Sequence, residues 1–248
     1  MQDNCYVKMD HVNMFYPSGV YNARSIKEEM IGHLKHKKQQ PLIKDVHALI
    51  DFNLDAHEGD RIGIIGRNGS GKSTLLKTIA GIYPIESGNL EVEGKIRAIF
   101  DIGLGFDPES TGRENIMYRG LLLGEKPQIL KMKMQEIIDF ADIGEFIDYP
   151  IKMYSSGMLI RLAVSVTVSV TGDILLMDEV INAGDASFIE KARKKVNELM
   201  ENSKLMILVS HDMQTIQKIC NKVIWLDKGV TKMVGDSSEV VEAYLRSI

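Results

Sequence analysis

The nonapeptide GRNGSGKST, Gly66 to Thr74, stands between the apolar run RIGII and a segment that reads as a helix from Lys72 to Ile79, ended by Gly81. A short β-branched run bounded by turn signals is a buried strand, and Gly66, Gly69 and Gly71 permit a curl that other residues resist. Strand, glycine turn and helix in that order confine the chain to α/β architectures. The alternation returns near the C-terminus as DILLM, a helix from Ala186 to Met200, KLMILVS, a helix to Cys220 and KVIWLD. This order implies a mainly parallel sheet covered by helices.

Other segments have a different texture. Cys5 to Tyr16 and Ala48 to Leu54 are strand-like and precede the parallel core, and further strands are expected near Asn89 to Val92 and Ile96 to Ile102. From Arg113 to Val170 the pattern is helical, punctuated by Gly144 and Pro150. It reads as a helical subdomain, about 101–170, inserted into a core of about 1–100 and 171–248. The tail begins with Asp236 and Glu239 in a capping pattern and closes as a short amphipathic helix. No C-terminal carbohydrate-binding domain is expected.

The 248 residues are 44% hydrophobic and 26% charged, ordinary for a globular chain. A net charge of −4 gives no electrostatic reason to expect nucleic acid. Cys5 and Cys220 lie far apart and outside any metal spacing, which points to a reducing compartment. The N-terminus has no signal-peptide core, and the most apolar stretch, Leu162 to Val170 with Ile174 to Met177, falls short of the roughly 20 residues a bilayer span needs.

The pattern G-x-x-x-x-G-K-[ST] between strand and helix is a phosphate loop. Backbone N–H groups of Gly66, Arg67, Asn68, Gly69, Ser70 and Gly71 would curl around phosphate oxygens. Lys72 would reach the β/γ-phosphates, Ser73 would ligate Mg²⁺, and Thr74 completes the loop. ILLMDE ends a buried strand in two carboxylates: Asp178 would hold the Mg²⁺ water shell and Glu179 would polarise the attacking water. Acidic residues also end strands for no catalytic reason, and the phosphate loop is what favours the chemical reading. His211 closes the next strand and would reach the γ-phosphate or the water.

YSSGM, Tyr154 to Met158, holds more than a helix cap needs. One hydroxyl satisfies the first turn, so Ser155, Ser156 and Gly157 together suggest an anion held at the positive end of a helix.

The order of these motifs resembles the ATPase subunits of ABC transporters over nearly the whole chain. The resemblance implies the ABC-ATPase variant of the phosphate-loop NTPase fold, with an N-terminal antiparallel β region. It also implies a homodimer in which Ser155, Ser156 and Gly157 of one copy meet the γ-phosphate bound by the other. Tyr16 would stack on adenine and Asp185 would be the residue crossing the dimer. YSSGM stands where most members have LSGGQ, and with DIGLGFDPESTGREN, Asp101 to Asn115, it resembles the exporters of O-antigen, capsule and teichoic acid. That branch implies a separate integral membrane permease, a lipid-linked polysaccharide and a peripheral place on the cytoplasmic face of the bacterial inner membrane. The family's usual glutamine ligand of Mg²⁺ is not visible here, and Asp101 or Ile102 falls near its place. The alternatives are the ATPase of another ABC exporter, a soluble ABC ATPase and a regulator that does not hydrolyse; Glu179 argues against the last.

Between Tyr16 and the phosphate loop, Ile26, Met30, Ile31 and Leu34 share a helical face ringed by Arg24, Lys27, Lys35, Lys37 and Lys38. This insert at 24–38 either lies on an anionic membrane surface near the channel mouth or packs on its own domain.

Overall fold

The computed structural model describes residues 5–16, 46–100, 105–178 and 185–248. The insert at 24–38, Asp101, Ile102 and Glu179 lie outside the described residues.

Strands β1 (Tyr6–Tyr16), β2 (Val46–His57) and β4 (Ser87–Glu93) form an antiparallel sheet in the order β2-β1-β4. Val7, Met9, Val12 and Met14 of β1 are buried against Leu49, Phe52, Leu54 and Ala56 of β2. The two-residue alternation slips once, between Met9 and Val12, where the pairing register also shifts. There His11 takes φ 50° and Asp51 φ 49°, and their backbone N–H groups donate to Asn53 and Asn13 across the strands, each at 2.9 Å. A bulge thus keeps both halves of the strand facing the core.

The second sheet has the order β5-β6-β7-β3-β8-β9. It comprises β3 (Arg61–Ile65), β5 (Ile96–Ile99), β6 (Ile174–Asp178), β7 (Leu205–Val209), β8 (Lys222–Asp227) and β9 (Val230–Asp236). Every pairing is parallel except β8 with β9. Pairing of Ile64 with Val209, and of Val209 with Asp178, brings the carboxyl ends of β3, β7 and β6 side by side. Ligands of open parallel sheets bind at that edge.

Helix α1 (Lys72–Ile79) buries Leu75, Leu76 and Ile79 between the two sheets. The helical stretch divides into α2 (Gly112–Leu122), α3 (Pro127–Ala141), two short 3-10 turns at Gly144–Asp148 and Ile151–Met153, and α4 (Ser156–Ser169). Gly124 at φ 80° and Pro127 in the first turn of α3 break it where the apolar texture alone shows no boundary. Ile116, Ile137, Ala141, Ile147, Leu162 and Val166 form a core apart from the sheets. Helix α4 is buried on two sides, since Val164 and Val168 pack instead on β5 and β6 with Ile99, Leu175 and Met177. Helices α5 (Ala186–Asn202), α6 (Met213–Ile219) and α7 (Ser237–Leu245) cover the same face through Phe188, Val196, Ile216 and Val240. Asp236 caps α7 by accepting from the Ser238 N–H at 2.9 Å.

Strand β9 is absent from the sequence expectations. It is an edge strand in which every second residue is only half-buried, so its sequence VTKMVGD carries a weak apolar signal. Lys228 at φ 49° and Gly229 at φ 80° form the two-residue hairpin that joins it to β8.

Candidate functional site

Loop 66–74 leaves β3 in a conformation that its neighbours enforce. At Gly66, φ is 149° and a Cβ would lie 2.1 Å from the Leu226 carbonyl oxygen; at Gly71, φ is 106° and a Cβ would lie 2.3 Å from that of Ala48. Any side chain at either position collides with backbone. The curl delivers Gly71 as the N-cap of α1, with no side-chain cap and no acidic residue in the first turn. Helix N–H groups so placed, at the positive end of the dipole, suit an anion. The Lys72 ammonium is buried and donates to the carbonyl oxygens of Gly66 at 2.8 Å and Arg67 at 3.0 Å.

A cleft of ≈ 630 Å³ opens over this loop, lined by Asn68, Gly69, Lys72, Ser73, Thr74, Asp178 and His211 together with Phe100. The adjoining strand ends explain the convergence: Asp178 ends β6, and His211 follows β7 by two residues. Phe100 was not among the sequence candidates, since an apolar residue at a strand end carries no chemical signal of its own. Tyr16, at the end of β1, hydrogen-bonds through its hydroxyl to that of Thr74 at 3.0 Å and meets the Tyr83 ring edge-to-face at 5.7 Å. Burial raises its pKa, so the phenol is neutral.

The donors in the cleft fit Mg²⁺ with a nucleotide. Among the described residues no three of His, Cys, Asp and Glu group as a metal site. Mg²⁺ keeps most of its water and takes one or two protein oxygens plus substrate phosphates, and the Ser73 hydroxyl and Asp178 carboxylate both line this cleft.

Ser155, Ser156 and Gly157 are not among the residues that line it. Ser155 caps α4 by accepting from the Met158 N–H at 3.2 Å, while Ser156 is exposed. A Cβ on Gly157 would meet only the Ser155 Oγ, at 3.9 Å, so nothing within the chain demands glycine there. One turn further along α4, Arg161 joins three elements. Its guanidinium donates to the Ala141 and Asp142 carbonyls at the end of α3, ion-pairs with Asp185 at 3.0 Å and lies 5.1 Å from the Phe188 ring centre. Bonds from Ser187 and Arg161 hold the Asp185 carboxyl down at about 2. The placement of Asp185, ahead of α5, is therefore tied to the helix that follows YSSG. A lone arginine in an otherwise apolar helix was the only sequence signal for that role.

The sequence model of the family described as ABC transporter matches residues 49–182. The O-antigen export system ATP-binding protein RfbE of Yersinia enterocolitica is 40% identical over 227 residues, covering 89% of this chain and 93% of that protein. The O-antigen export system ATP-binding protein RfbB of Myxococcus xanthus is 42% identical over 224 residues, covering 90% of this chain and 51% of its own length. The chain thus spans about half of that relative. Among solved structures, a dimeric, post-hydrolysis ATP-binding cassette bound to ADP and Pi superposes with a TM-score of 0.66 at 21% identity, covering 93% of this chain and 98% of that one.

Proposed function

The chain belongs to the ABC transporter family, and from that premise we propose that it is the ATP-hydrolysing subunit of an exporter for a lipid-linked, O-antigen-like surface polysaccharide. The observation that carries the ATPase reading is the convergence of loop 66–74, Asp178 and His211 on one cleft. The polymer class rests on the 40% identity to the Yersinia O-antigen export protein.

In this reading the loop amides and the N-terminus of α1 take the β- and γ-phosphates, and the Lys72 ammonium turns from the loop carbonyls to the γ-phosphate. Ser73 would ligate Mg²⁺ and Asp178 would hold it through its water shell, with Asp101 as a further oxygen. The ion supplies charge neutralisation on the β/γ-oxygens. Glu179 orients the attacking water and accepts its proton, His211 contacts the γ-phosphate, and Tyr16 offers its ring to adenine. A second copy, arranged head to tail, brings Ser155, Ser156 and Gly157 to the γ-phosphate and Asp185 to the dimer seam.

Among the described residues no helix is long and apolar enough to cross a membrane. The likeness to exporter ATP-binding proteins brings with it a separate permease, which would hold this subunit at the cytoplasmic face of the inner membrane. Tyr118, Leu121 and Leu122, exposed along one face of α2, offer an apolar contact for it.

The test is Glu179→Gln beside Lys72→Ala, each assayed for ATP affinity and turnover. Glu179→Gln should bind ATP normally and hydrolyse it roughly 10²–10⁴-fold more slowly, the span of a general base. Lys72→Ala should lose affinity. Near-normal turnover in the first variant would remove Glu179 from the mechanism. Undiminished surface polysaccharide in a cell lacking the subunit would remove the export reading and favour a soluble ABC ATPase.

A further inference from the structure

Two segments that the sequence singled out separately meet in the fold. Residues 108–112, which lead into α2, run antiparallel to 149–152, which lead into YSSG. The Ile151 N–H donates to the Ser110 carbonyl at 3.0 Å, Lys152 to Pro108 at 3.1 Å and Gly112 to Tyr149 at 3.3 Å, and Thr111 and Pro150 form a β-bridge. Ion pairs of Lys152 with Glu109 and Arg113 with Asp148 flank the ribbon.

Tyr154 closes it. Its half-buried ring carries the hydroxyl to the Phe146 carbonyl, to which it donates at 2.7 Å. A Cβ on residue 112 would lie 2.1 Å from that hydroxyl, 2.9 Å from Ile147 Cδ1 and 3.0 Å from the Ile147 carbonyl oxygen. Gly112 is not among the glycines with positive φ, so its backbone does not call for glycine. What calls for glycine is the space taken by the phenol and Ile147. Gly112 is also the first residue of α2, inside the turn fixed by the reciprocal Thr111–Glu114 capping box. Tyr154 therefore rests against a rigid helix start, and Ser155 is the next residue.

We infer that Tyr154 is a positioning residue for ATP turnover: seated in the space left by Gly112, it fixes Ser155, Ser156 and Gly157 to the ribbon and to the start of α2. This rests on the reading above, in which that turn completes the ATP site of a second copy.

The experiment compares Tyr154→Phe, Gly112→Ala and the double variant Gly112→Ala/Tyr154→Phe by turnover, ATP affinity and melting temperature. Gly112→Ala displaces the phenol and should lower kcat by roughly 10- to 100-fold, the usual penalty for misplacing a reacting group by about an ångström. ATP affinity should change by less than about twofold, because the cis cleft is untouched. Tyr154→Phe loses one hydrogen bond and should lower kcat about threefold to tenfold. The double variant removes the clashing hydroxyl while keeping the seated ring, and should return kcat to about the level of Tyr154→Phe. A structural role alone would instead reduce melting temperature and ATP affinity in step with kcat. The inference is overturned by wild-type kcat in both single variants, by losses that follow the melting temperature, or by a double variant no better than Gly112→Ala. Ser156→Arg separates the two levels. If it blocks turnover while the Tyr154 and Gly112 variants do not, only this inference falls; if it leaves turnover intact, the reading of the turn falls too.

Discussion

Loop 66–74 and the turn 154–158 are both rich in glycine and hydroxyls, and both start helices, yet their surroundings differ. At Gly66 and Gly71 neighbouring carbonyls exclude a side chain, and the Lys72 amine is held inside the loop. At Gly157 the surroundings are open and Ser156 is exposed. A site built within one chain shows its constraints in its own contacts. At the turn the small size of Ser156 and Gly157 has no internal cause, as the proposed completion of the site by a second copy would require.

The difference can be broken most directly by Gly66→Ala. With backbone 2.1 Å from the new Cβ and φ at 149°, we expect a loss of about 3–4 kcal/mol in urea unfolding, combining overpacking with backbone strain. Unchanged stability would show that the loop is not fixed by its neighbours.

The next effect concerns the tie between the helical part and the sheet. Glu125, between α2 and α3, has a fully buried carboxylate that accepts from Lys95 Nζ at 2.9 Å, from the Thr171 hydroxyl at 2.8 Å and from the Thr171 N–H at 2.9 Å. Burial alone would raise its pKa, but these bonds outweigh it and bring the value to about 2. Because the folded pKa lies below the unfolded one, the stabilisation is complete above about pH 5 and is lost as pH falls toward 2. It amounts to roughly 2–3 kcal/mol. Urea unfolding between those limits should show that loss in the wild type and a shallower slope in Glu125→Gln. Equal slopes would mean the carboxylate is not held in its charged form.

Smaller effects sharpen the contrast at the turn itself. Ser155→Ala removes a cap and should cost about 1 kcal/mol, whereas Ser156→Ala should stay within about 0.5 kcal/mol. Gly157→Ala should stabilise α4 by about 0.5–1 kcal/mol, opposite in sign to Gly66→Ala, because an open helical glycine gains from a methyl group. Its ATP turnover should nonetheless fall, measured beside melting temperature. A variant more stable and fully active would mean that nothing approaches Gly157.

Local patterns needed no tertiary information. The strand at 61–65, the helix at 72–79 and the phosphate loop between them follow from apolar periodicity and glycine placement, which act over a few residues. Strand β9 escaped because an edge strand with half-buried alternate residues resembles a polar loop, and the break before Pro127 escaped because α2 and α3 share one apolar texture. The elements of the site were likewise legible as separate motifs. That Asp178 and His211 share a cleft with Lys72 was decided by strand order, since only the pairing of β6, β7 and β3 sets their ends side by side. The roles of Arg161 and Tyr154 lie still further from the sequence. Each acts through contacts spanning tens of residues, Arg161 with Asp185 and Tyr154 with Gly112, and residue type alone carries no record of which distant backbone a side chain will meet.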